Sequence, residues 1–304
     1  MKLMTYICQA MACALMISSS VAAQDAAVAK TLDVWLLGGQ SNMQGIGKFS
    51  ELKQELPKIS NVYYWNNKTF EPLVLGQTRT SSRAGEFGPE VGFSLEMAKT
   101  GRPFYLIKYH ASGMPLHHGW NGNKWVGGDC EAGRTNFYPG VASDDPNTGR
   151  LYQQMVNRFR AGLQHLREQG HTPVVRGFLW MQGEQDSKHS DSATTYAENL
   201  KRLRDRLAED LQVEALPIVF GQVLPHEPAL PRFTHRKEIR KQMAAADADS
   251  GLQGAIPLAK MVSTDGFELL PDTVHYSAAG QLQLGQEMAK KMTILGNKSR
   301  TQGD

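Results

Sequence analysis

Two short segments near opposite ends of the chain carry the residue types needed for nucleophilic catalysis. Residues 38–43 (GGQSNM) end an apolar run and place Ser41 just after a predicted strand. Residues 271–277 (PDTVHYS) place Asp272 three positions before His275 in a predicted turn. In such a turn the carboxylate can hold one imidazole nitrogen, which leaves the other to take a proton from a serine hydroxyl. The two segments together predict a triad of Ser41, His275 and Asp272.

Each segment alone also has a purely structural interpretation. Ser41 can simply cap a helix, and many Asp-x-x-His pairs are surface turns. The glycines before Ser41 permit a tight turn and close approach of a substrate. The segment is not the G-x-S-x-G elbow, because Gln40 and Asn42 flank the serine and no glycine stands two residues after it. Glu184 is a second candidate for the acidic partner of His275, although the short turn favours Asp272.

The remaining histidines and the single cysteine of the mature chain do not form a second site. No spacing typical of a metal site is present, and the adjacent His117 and His118 would point apart on a strand. Three further histidines are interpreted as ordinary polar residues: His110, His226 and His235. Cys130 lies among glycines with no obvious base, so we expect a loop cysteine without a catalytic role. Neither a metal nor a cofactor is therefore expected.

Apolar runs and helical patterns alternate along the chain. The runs that read as buried strands are residues 32–37, 62–65, 104–109, 174–180 and 217–223. The helical patterns are residues 89–99, 151–169, 193–210, 236–248 and 278–293. This alternation predicts an α/β fold with a parallel sheet covered on both faces. No linker divides residues 24–304, so we expect a single domain.

One long stretch, residues 112–147, interrupts this alternation and is rich in Gly, Asn, Trp and His. A loop of this length inside a compact domain is usually functional or disordered. Trp120, Trp125 and Tyr138 offer flat faces on which sugar rings can stack, or they pack the loop onto the body. Arg79 and Arg83 can contact an acidic sugar, although a solvated loop is the simpler interpretation.

The first residues have the pattern of a secretory signal peptide. Lys2 precedes an apolar stretch at residues 11–17, and small residues at Val21 and Ala23 predict cleavage after Ala23. The apolar stretch is too short to span a bilayer. Removal of residues 1–23 leaves 32 basic and 30 acidic residues, a net charge of +2. That balance argues against nucleic acid or a membrane surface as a partner, and a secreted or periplasmic location is expected.

Four motifs, in this order, resemble the SGNH-type hydrolases. They are residues 39–43 (GQSNM), 87–90 (FGPE), 180–186 (WMQGEQD) and 272–275 (DTVH), and they cover nearly the whole mature chain. The resemblance is to the sialate O-acetylesterase-like branch, which includes the acetylxylan esterases of carbohydrate esterase family six. It implies a flavodoxin-like, three-layer α/β/α sandwich with a central parallel sheet of about five strands.

The resemblance also implies roles for individual residues. Ser41 would be the nucleophile, His275 the base and Asp272 its partner. The oxyanion hole would use the backbone N–H groups of Ser41 and Gly88 and the side chain of Gln182, with Gly85 as the competitor of Gly88. The supporting residues would be Gln40, Asn42 and Glu184.

The implied activity is a serine esterase that hydrolyses O-acetyl esters on a carbohydrate through an acyl-enzyme, without a cofactor. The expected partner is an acetylated polysaccharide or sialic acid; xylan, pectin and a bacterial glycan are all compatible with these residues. One alternative is a non-catalytic carbohydrate-binding protein on the same fold, against which the presence of Ser41 and His275 argues. The other is a lipase or thioesterase, against which the lack of an apolar lid stretch argues.

Overall fold

The computed structural model describes residues 29–128 and 133–301, the last five by their backbone only. The predicted signal peptide and Cys130 lie outside the described residues. In chain order the strands are β1 (Thr31–Gly39), β2 (Gly47–Lys48), β3 (Val62–Trp65), β4 (Phe70–Pro72), β5 (Glu86–Phe87), β6 (Phe104–His110), β7 (Trp120–Asn121), β8 (Lys124–Trp125), β9 (Thr172–Met181), β10 (Ile218–Gly221) and β11 (Ala259–Val262). The helices are α1 (Ser41–Gln44), α2 (Pro89–Met97), α3 (Arg150–Glu168), α4 (Ser190–Thr194), α5 (Tyr196–Leu211), α6 (Arg236–Ala246) and α7 (Ala278–Thr301).

Seven of these strands form one sheet in the order β11-β10-β9-β1-β6-β3-β4. All neighbours are parallel except β4, which pairs antiparallel with β3 at the edge. The strand β1 lies in the middle, and the chain continues to one side of it and later returns to the other. Such a reversal opens a crevice at the carboxyl end of the central strand, where open α/β sheets bind their ligands.

Helices cover both faces of the sheet. On one face α3 packs Phe159 against Phe178 of β9, and on the other Met292 of α7 approaches Trp35 and Gly177. The central strand is therefore buried on both sides, and Leu36 and Leu37 are fully buried. This double burial explains why β1 reads as a continuous apolar run rather than an alternating one.

The structure confirms the predicted α/β sandwich. All five predicted strands and all five predicted helices are present, with shifts of a few residues at most of their ends. Sequence reasoning missed the parallel strand β11 and the edge strand β4, so the sheet has seven strands rather than about five. It also joined α4 to α5 as one helix and ended α7 too early. Within the described ranges, no helix is long and apolar enough to cross a membrane.

Candidate active site

The central strand ends in a turn that presents Ser41 at the carboxyl edge of the sheet. Gly39 has a φ of 149°, and a Cβ at this position would lie 2.0 Å from the carbonyl oxygen of Met181 on β9. The Gln40 N–H donates to that same oxygen at 2.9 Å. Only glycine permits this close approach, so the second glycine of the GGQSNM segment is required by packing. The residues from Ser41 to Gly45 are called the nucleophile turn below.

The structure brings Ser41, His275 and Asp272 together, although more than 200 residues separate the serine from the other two. The Nε2 atom of His275 lies 3.0 Å from the Ser41 hydroxyl. The Nδ1 atom of His275 lies 2.6 Å from Asp272 Oδ2. These two hydrogen bonds place the imidazole between a hydroxyl and a carboxylate, which is the arrangement needed for a general base with an orienting acid.

The turn before α7 fixes the Asp272 carboxylate. Its Oδ1 atom accepts the backbone N–H groups of Val274 and His275, each at 2.9 Å. Burial alone would raise the pKa of Asp272, but the hydrogen bonds from the His275 side chain and from these two N–H groups outweigh it and lower the pKa. Asp272 is therefore ionised at neutral pH and holds the Nδ1 proton of His275.

Asn42, the residue after Ser41, ties the nucleophile turn to two other loops. Its Nδ2 donates to Glu184 Oε1 at 2.7 Å and to the Val274 carbonyl at 3.1 Å. Its Oδ1 accepts the Tyr276 N–H at 3.1 Å. Since Val274 and Tyr276 flank His275, this one side chain fixes the base relative to the nucleophile.

The Glu184 carboxylate is buried and contacts Asn42 rather than His275. It is 2% exposed, and its Oε2 atom has no hydrogen-bond partner among the described residues. Burial raises the pKa of Glu184, against opposing contributions from the Asn42 amide and from His275. The geometry thus favours Asp272 as the partner of His275 and gives Glu184 a bracing position at the wall of the cleft.

The backbone N–H of Gly88, a predicted oxyanion donor, is bonded within its own turn in this structure. This N–H donates to Glu90 Oε1 at 2.8 Å, and Gly88 does not line the cleft beside Ser41. Gly85, the competitor, is also absent from the cleft. Glu90 is itself paired with the fully buried Lys108 at 2.5 Å, and Lys108 donates to the Gln44 carbonyl at 2.9 Å. The FGPE motif therefore supports the nucleophile turn from behind.

Gln182 is also occupied elsewhere. It is fully buried, and its Nε2 atom donates to Asp186 Oδ2 at 2.6 Å, to the Met114 carbonyl at 3.1 Å and to Gln40 Oε1 at 3.3 Å. These acceptors take up its amide hydrogens in this structure, and a direct contact of Gln182 with an oxyanion stays a prediction. Through its bond to Gln40 Oε1, Gln182 orients a residue that lines the cleft.

Two donors that sequence reasoning did not assign to the oxyanion hole face the cleft. Gly113 follows β6, the neighbour of β1, and lines the cleft with a left-handed φ of 71°. Among the described residues, the backbone N–H groups of Ser41 and Gly113 have no acceptor. The Gln40 carboxamide has its oxygen held by Gln182, which leaves its NH₂ group available. A glycine four residues after a predicted strand was the available signal for Gly113.

The cleft itself has a volume of about 500 Å³, and its lining includes two cationic side chains, Lys188 and Arg232. Lys188 and Arg232 both lie against the ring of Phe233, at 5.8 and 4.8 Å from its centroid. Lys188 donates to the neutral amide oxygen of Gln185 at 2.7 Å. Burial, together with Arg232, lowers the pKa of Lys188. No carboxylate of the described residues forms an ion pair with either cation.

The long loop packs onto the body mainly through its aromatic residues. Trp120 is 4% exposed and donates its indole N–H to Ser192 Oγ at 3.1 Å, which favours the alternative that it packs the loop onto the body. Tyr138 is also buried. Trp125 is half-buried and stacks on His189 at a centroid distance of 3.6 Å, so only part of its surface is open to a ligand.

Asp186 anchors the start of this loop. Its carboxylate accepts the backbone N–H groups of Leu116 at 2.8 Å and His117 at 3.0 Å, in addition to the Gln182 amide. Burial raises the pKa of Asp186 to about 6, against these hydrogen bonds. His117 stacks on His118 in this segment. No cluster of His, Cys, Asp or Glu able to hold a metal occurs within the residues that the structure describes.

These atoms together are arranged for acyl transfer. A hydroxyl lies within hydrogen-bond distance of an oriented imidazole, and N–H donors without partners lie on the same cleft. This set matches the nucleophile, base and oxyanion donors that ester cleavage requires.

Comparison with known proteins identifies the family of this chain. The sequence profile of carbohydrate esterases described as sialic acid-specific acetylesterases matches residues 31–294. A probable carbohydrate esterase of Arabidopsis thaliana is 28% identical over 142 residues, so the match spans 46% of this chain and 46% of the plant protein.

Solved structures show the same fold. The crystal structure of that Arabidopsis thaliana protein has a TM-score of 0.60 at 18% identity and covers 86% of this chain and 98% of its own. The protein NanS has a TM-score of 0.55 at 15% identity, covering 90% and 99%. A carbohydrate acetylesterase from Xanthomonas citri has a TM-score of 0.52 at 16% identity, covering 88% and 56%.

Proposed function

Because the chain belongs to the carbohydrate esterase family of sialic acid-specific acetylesterases, we propose that it hydrolyses O-acetyl esters on a carbohydrate with Ser41, His275 and Asp272 as its catalytic triad. The observation that carries the proposal is the continuous hydrogen-bonded path from the Ser41 hydroxyl through His275 to Asp272, at 3.0 and 2.6 Å. In a carboxylic ester hydrolase, this path supplies the nucleophile, its base and the group that orients the base.

The reaction proceeds in two steps. His275 Nε2 takes the Ser41 proton as the serine oxygen attacks the acetyl carbonyl, and the imidazolium then gives that proton to the departing sugar oxygen. Water, deprotonated by the same nitrogen, attacks the acetyl-serine and releases acetate, which restores the Ser41 hydroxyl. Asp272 keeps the Nδ1 proton in place and stabilises the imidazolium in both steps.

The oxyanion hole is assigned to the backbone N–H groups of Ser41 and Gly113 and to the side-chain NH₂ of Gln40. All three residues line the cleft, and the Gln40 carboxamide is oriented by Gln182 and by the Gly183 N–H. Loss of one such donor costs about 2.7–4 kcal/mol of barrier in a serine hydrolase. Gln182 and Asp186 act behind them, because they hold Gln40 and the segment that follows Gly113.

Charge in the cleft favours an anionic sugar as the substrate. Lys188 and Arg232 line the same cleft as Ser41 and His275 and have no ion-pair partner among the described residues. The one carboxylate among the residues that line it, Glu184, is buried and has a raised pKa. An acetylated sugar with its own carboxylate, such as a sialic or uronic acid, supplies the missing negative charge.

The predicted cleavage after Ala23 implies that the esterase acts outside the cytoplasm. The residues concerned lie outside the described part of the chain. N-terminal sequencing of protein recovered after export tests this, and a first residue before Met11 would contradict it.

Acetate release by purified protein from a panel of acetylated sugars tests the proposed function. The panel needs acetylated sialic acid, pectin, xylan and a neutral acetylated hexose, with 4-nitrophenyl acetate as a small reference ester. Folded Ser41→Ala protein should release no acetate from any of them. Normal turnover by that variant would exclude the serine mechanism, and glycan binding without any hydrolysis by the unmodified protein would favour the non-catalytic alternative.

A further inference from the structure

A second polar cavity borders the nucleophile turn, and the mechanism above does not use it. It has a volume of about 400 Å³ and is lined by the ends of β3 and β6, by residues 79–81 and by one residue of α3. We call it the β3 pocket. The lining residues that matter here are Tyr64, Thr80, His110 and Arg158.

Two buried polar atoms on this pocket have no partner among the described residues. Thr80 is 3% exposed, and its hydroxyl forms no hydrogen bond. The Nε atom of Arg158 is also buried and unbonded. Buried polar atoms in proteins nearly always have a partner, and an occupant that shifts the lining enough to expose these two atoms would supply one for each.

The pocket is also net cationic. Arg158, Arg79 and Lys68 line it, against the single carboxylate of Glu71. The Arg79 guanidinium is held by the carbonyl oxygens of Ser81 and Ser82, so its position is fixed. Two guanidinium groups on one cavity, one of them held in place, are suited to a carboxylate.

The rest of the lining is mixed in hydrogen-bonding character. The His110 ring forms no hydrogen bond with the described residues, and burial together with Lys108 and Arg158 keeps it neutral by lowering its pKa to about 3. A neutral imidazole both donates and accepts, and the Glu71 carboxylate is a pure acceptor. Acceptors of this kind suit sugar hydroxyls and oppose a bare inorganic oxyanion such as phosphate.

Hydrogen bonds connect the lining of the β3 pocket to the nucleophile turn of the catalytic cleft. Lys108 Nζ donates to the carbonyl oxygens of Thr80 at 3.0 Å and Gln44 at 2.9 Å. Ser81 Oγ donates to the Gly45 carbonyl at 2.6 Å. Ser112, which lines the cleft, follows His110 by two residues. A ligand in the β3 pocket is therefore coupled to the nucleophile turn through short, buried contacts.

We propose that the β3 pocket is a second sugar subsite, which takes a carboxylate-bearing residue of the same glycan whose acetyl ester reacts at Ser41. Arg158 and Arg79 bind the carboxylate, and Thr80 and His110 bind hydroxyl groups. The assignment rests on the proposed function for the reacting acetyl group, whereas the binding of an acidic sugar can be measured without it.

Direct binding is the first test. D-galacturonate and its neutral counterpart D-galactose are titrated by NMR into Ser41→Ala protein, alone and with Arg158→Met, Thr80→Val or Arg167→Met added. Thr80→Val removes a hydroxyl without a partner and keeps the shape of the side chain, so it should fold normally. Arg167→Met removes the same charge from an exposed position on the same helix.

We expect Arg158→Met to weaken galacturonate binding about tenfold, the change that corresponds to loss of one charge-assisted hydrogen bond. Thr80→Val should weaken it about threefold, and Arg167→Met should have no effect. Unchanged binding in both pocket variants would mean that the pocket holds only water, and the proposal would fail. Arg232→Met is titrated as a fourth variant. Loss of galacturonate binding in that variant alone would place the sugar in the catalytic cleft and would also overturn the proposal.

Kinetics on a polymer provide the second test. The ratio of kcat/KM for acetylated polygalacturonate to that for 4-nitrophenyl acetate should fall about tenfold in Arg158→Met and stay constant in Arg167→Met. A constant ratio in both variants contradicts a subsite. If the unmodified protein cleaves neither ester while galacturonate binding still depends on Arg158, the proposed function fails and the sugar-acid pocket stands.

Discussion

Replacement of Asp272 by Asn keeps the size of the side chain but inverts the hydrogen bonding of the atom that faces the base. In the native turn, Oδ1 accepts two backbone N–H groups and Oδ2 accepts the proton on His275 Nδ1. An asparagine has one acceptor oxygen, and the two N–H groups require it. The NH₂ group must therefore face His275.

That orientation sets the wrong tautomer of the imidazole. An NH₂ group donates to Nδ1, so the ring proton moves to Nε2, which lies 3.0 Å from the Ser41 hydroxyl and can then no longer accept its proton. Turning the amide round would break both backbone hydrogen bonds, at about 1 kcal/mol each. The same exchange in a serine protease lowers kcat about 10⁴-fold, so we expect a loss of about 10³ to 10⁴, or roughly 4–5.5 kcal/mol of barrier.

The assay is hydrolysis of 4-nitrophenyl acetate by variants whose folding is checked by circular dichroism. Glu184→Gln keeps an oxygen for Asn42 and should lose less than tenfold in kcat. Asp265→Asn makes the same chemical change at an exposed carboxylate that pairs with Arg240 at 2.7 Å, and it should stay within twofold of the unmodified protein. Either of two results would refute the tautomer argument and make Glu184 the acidic partner. One is that Asp272→Asn keeps more than a tenth of the turnover, and the other is that Glu184→Gln loses more than tenfold in kcat.

Four further predictions concern the same site. Ser41→Ala and His275→Ala should each lower kcat by several orders of magnitude, and the double variant should lose little more, because both disable one step; additive losses would contradict the triad. Gln40→Met should lower kcat about 10²- to 10³-fold with a small change in KM, and a change confined to KM would remove Gln40 from the oxyanion hole. Exhaustive EDTA treatment should leave acetate release unchanged, and restoration by a divalent ion would contradict this. The pKa of Asp186 is raised from 3.8 to about 6, which means that the folded state binds this proton more tightly than the unfolded state. The stability that this group contributes is therefore present at low pH and lost as the pH rises from about 4 to 6. Urea unfolding of the unmodified protein and of Asp186→Asn should show that the difference between their free energies of unfolding changes by up to roughly 3 kcal/mol across that range.

The parts of the fold that the sequence predicts are those with strong local signals. Runs buried on both faces, such as β1 and β9, are apolar and bounded by glycine or polar residues. The strand β11 contains Lys260, whose ammonium group is held by Asp247 and Asp249, so its four residues do not read as an apolar run. The edge strand β4 ends in Pro72, which is typical of an edge and lowers strand propensity.

The candidate site divides in the same way. Ser41, Asp272 and His275 are predictable because the chemistry requires those residue types and the Asp-His pair is local. The position of Gly113 is not predictable, because the chain order does not reveal which strands lie beside β1. One neighbour is β6, which the chain reaches only after it has passed through β3 at the side of the sheet. Gly113 therefore enters the cleft from 72 residues beyond Ser41, a contact that depends on strand order.

The polar residues behind the cleft explain how loops from four distant parts of the chain reach one geometry. Glu184 and Asp186 are both buried with raised pKa values, so each ionised carboxylate reduces stability. Each carboxylate instead fixes the position of a part of the site. Glu184 holds Asn42, which binds the residues on both sides of His275, and Asp186 holds the segment after Gly113. Asp186→Asn leaves one acceptor oxygen for the three N–H groups that the carboxylate now accepts, so Gln182 and the segment after Gly113 lose their fixed positions and kcat should fall. A variant that gained stability without losing turnover would show that these carboxylates do not set the geometry of the cleft.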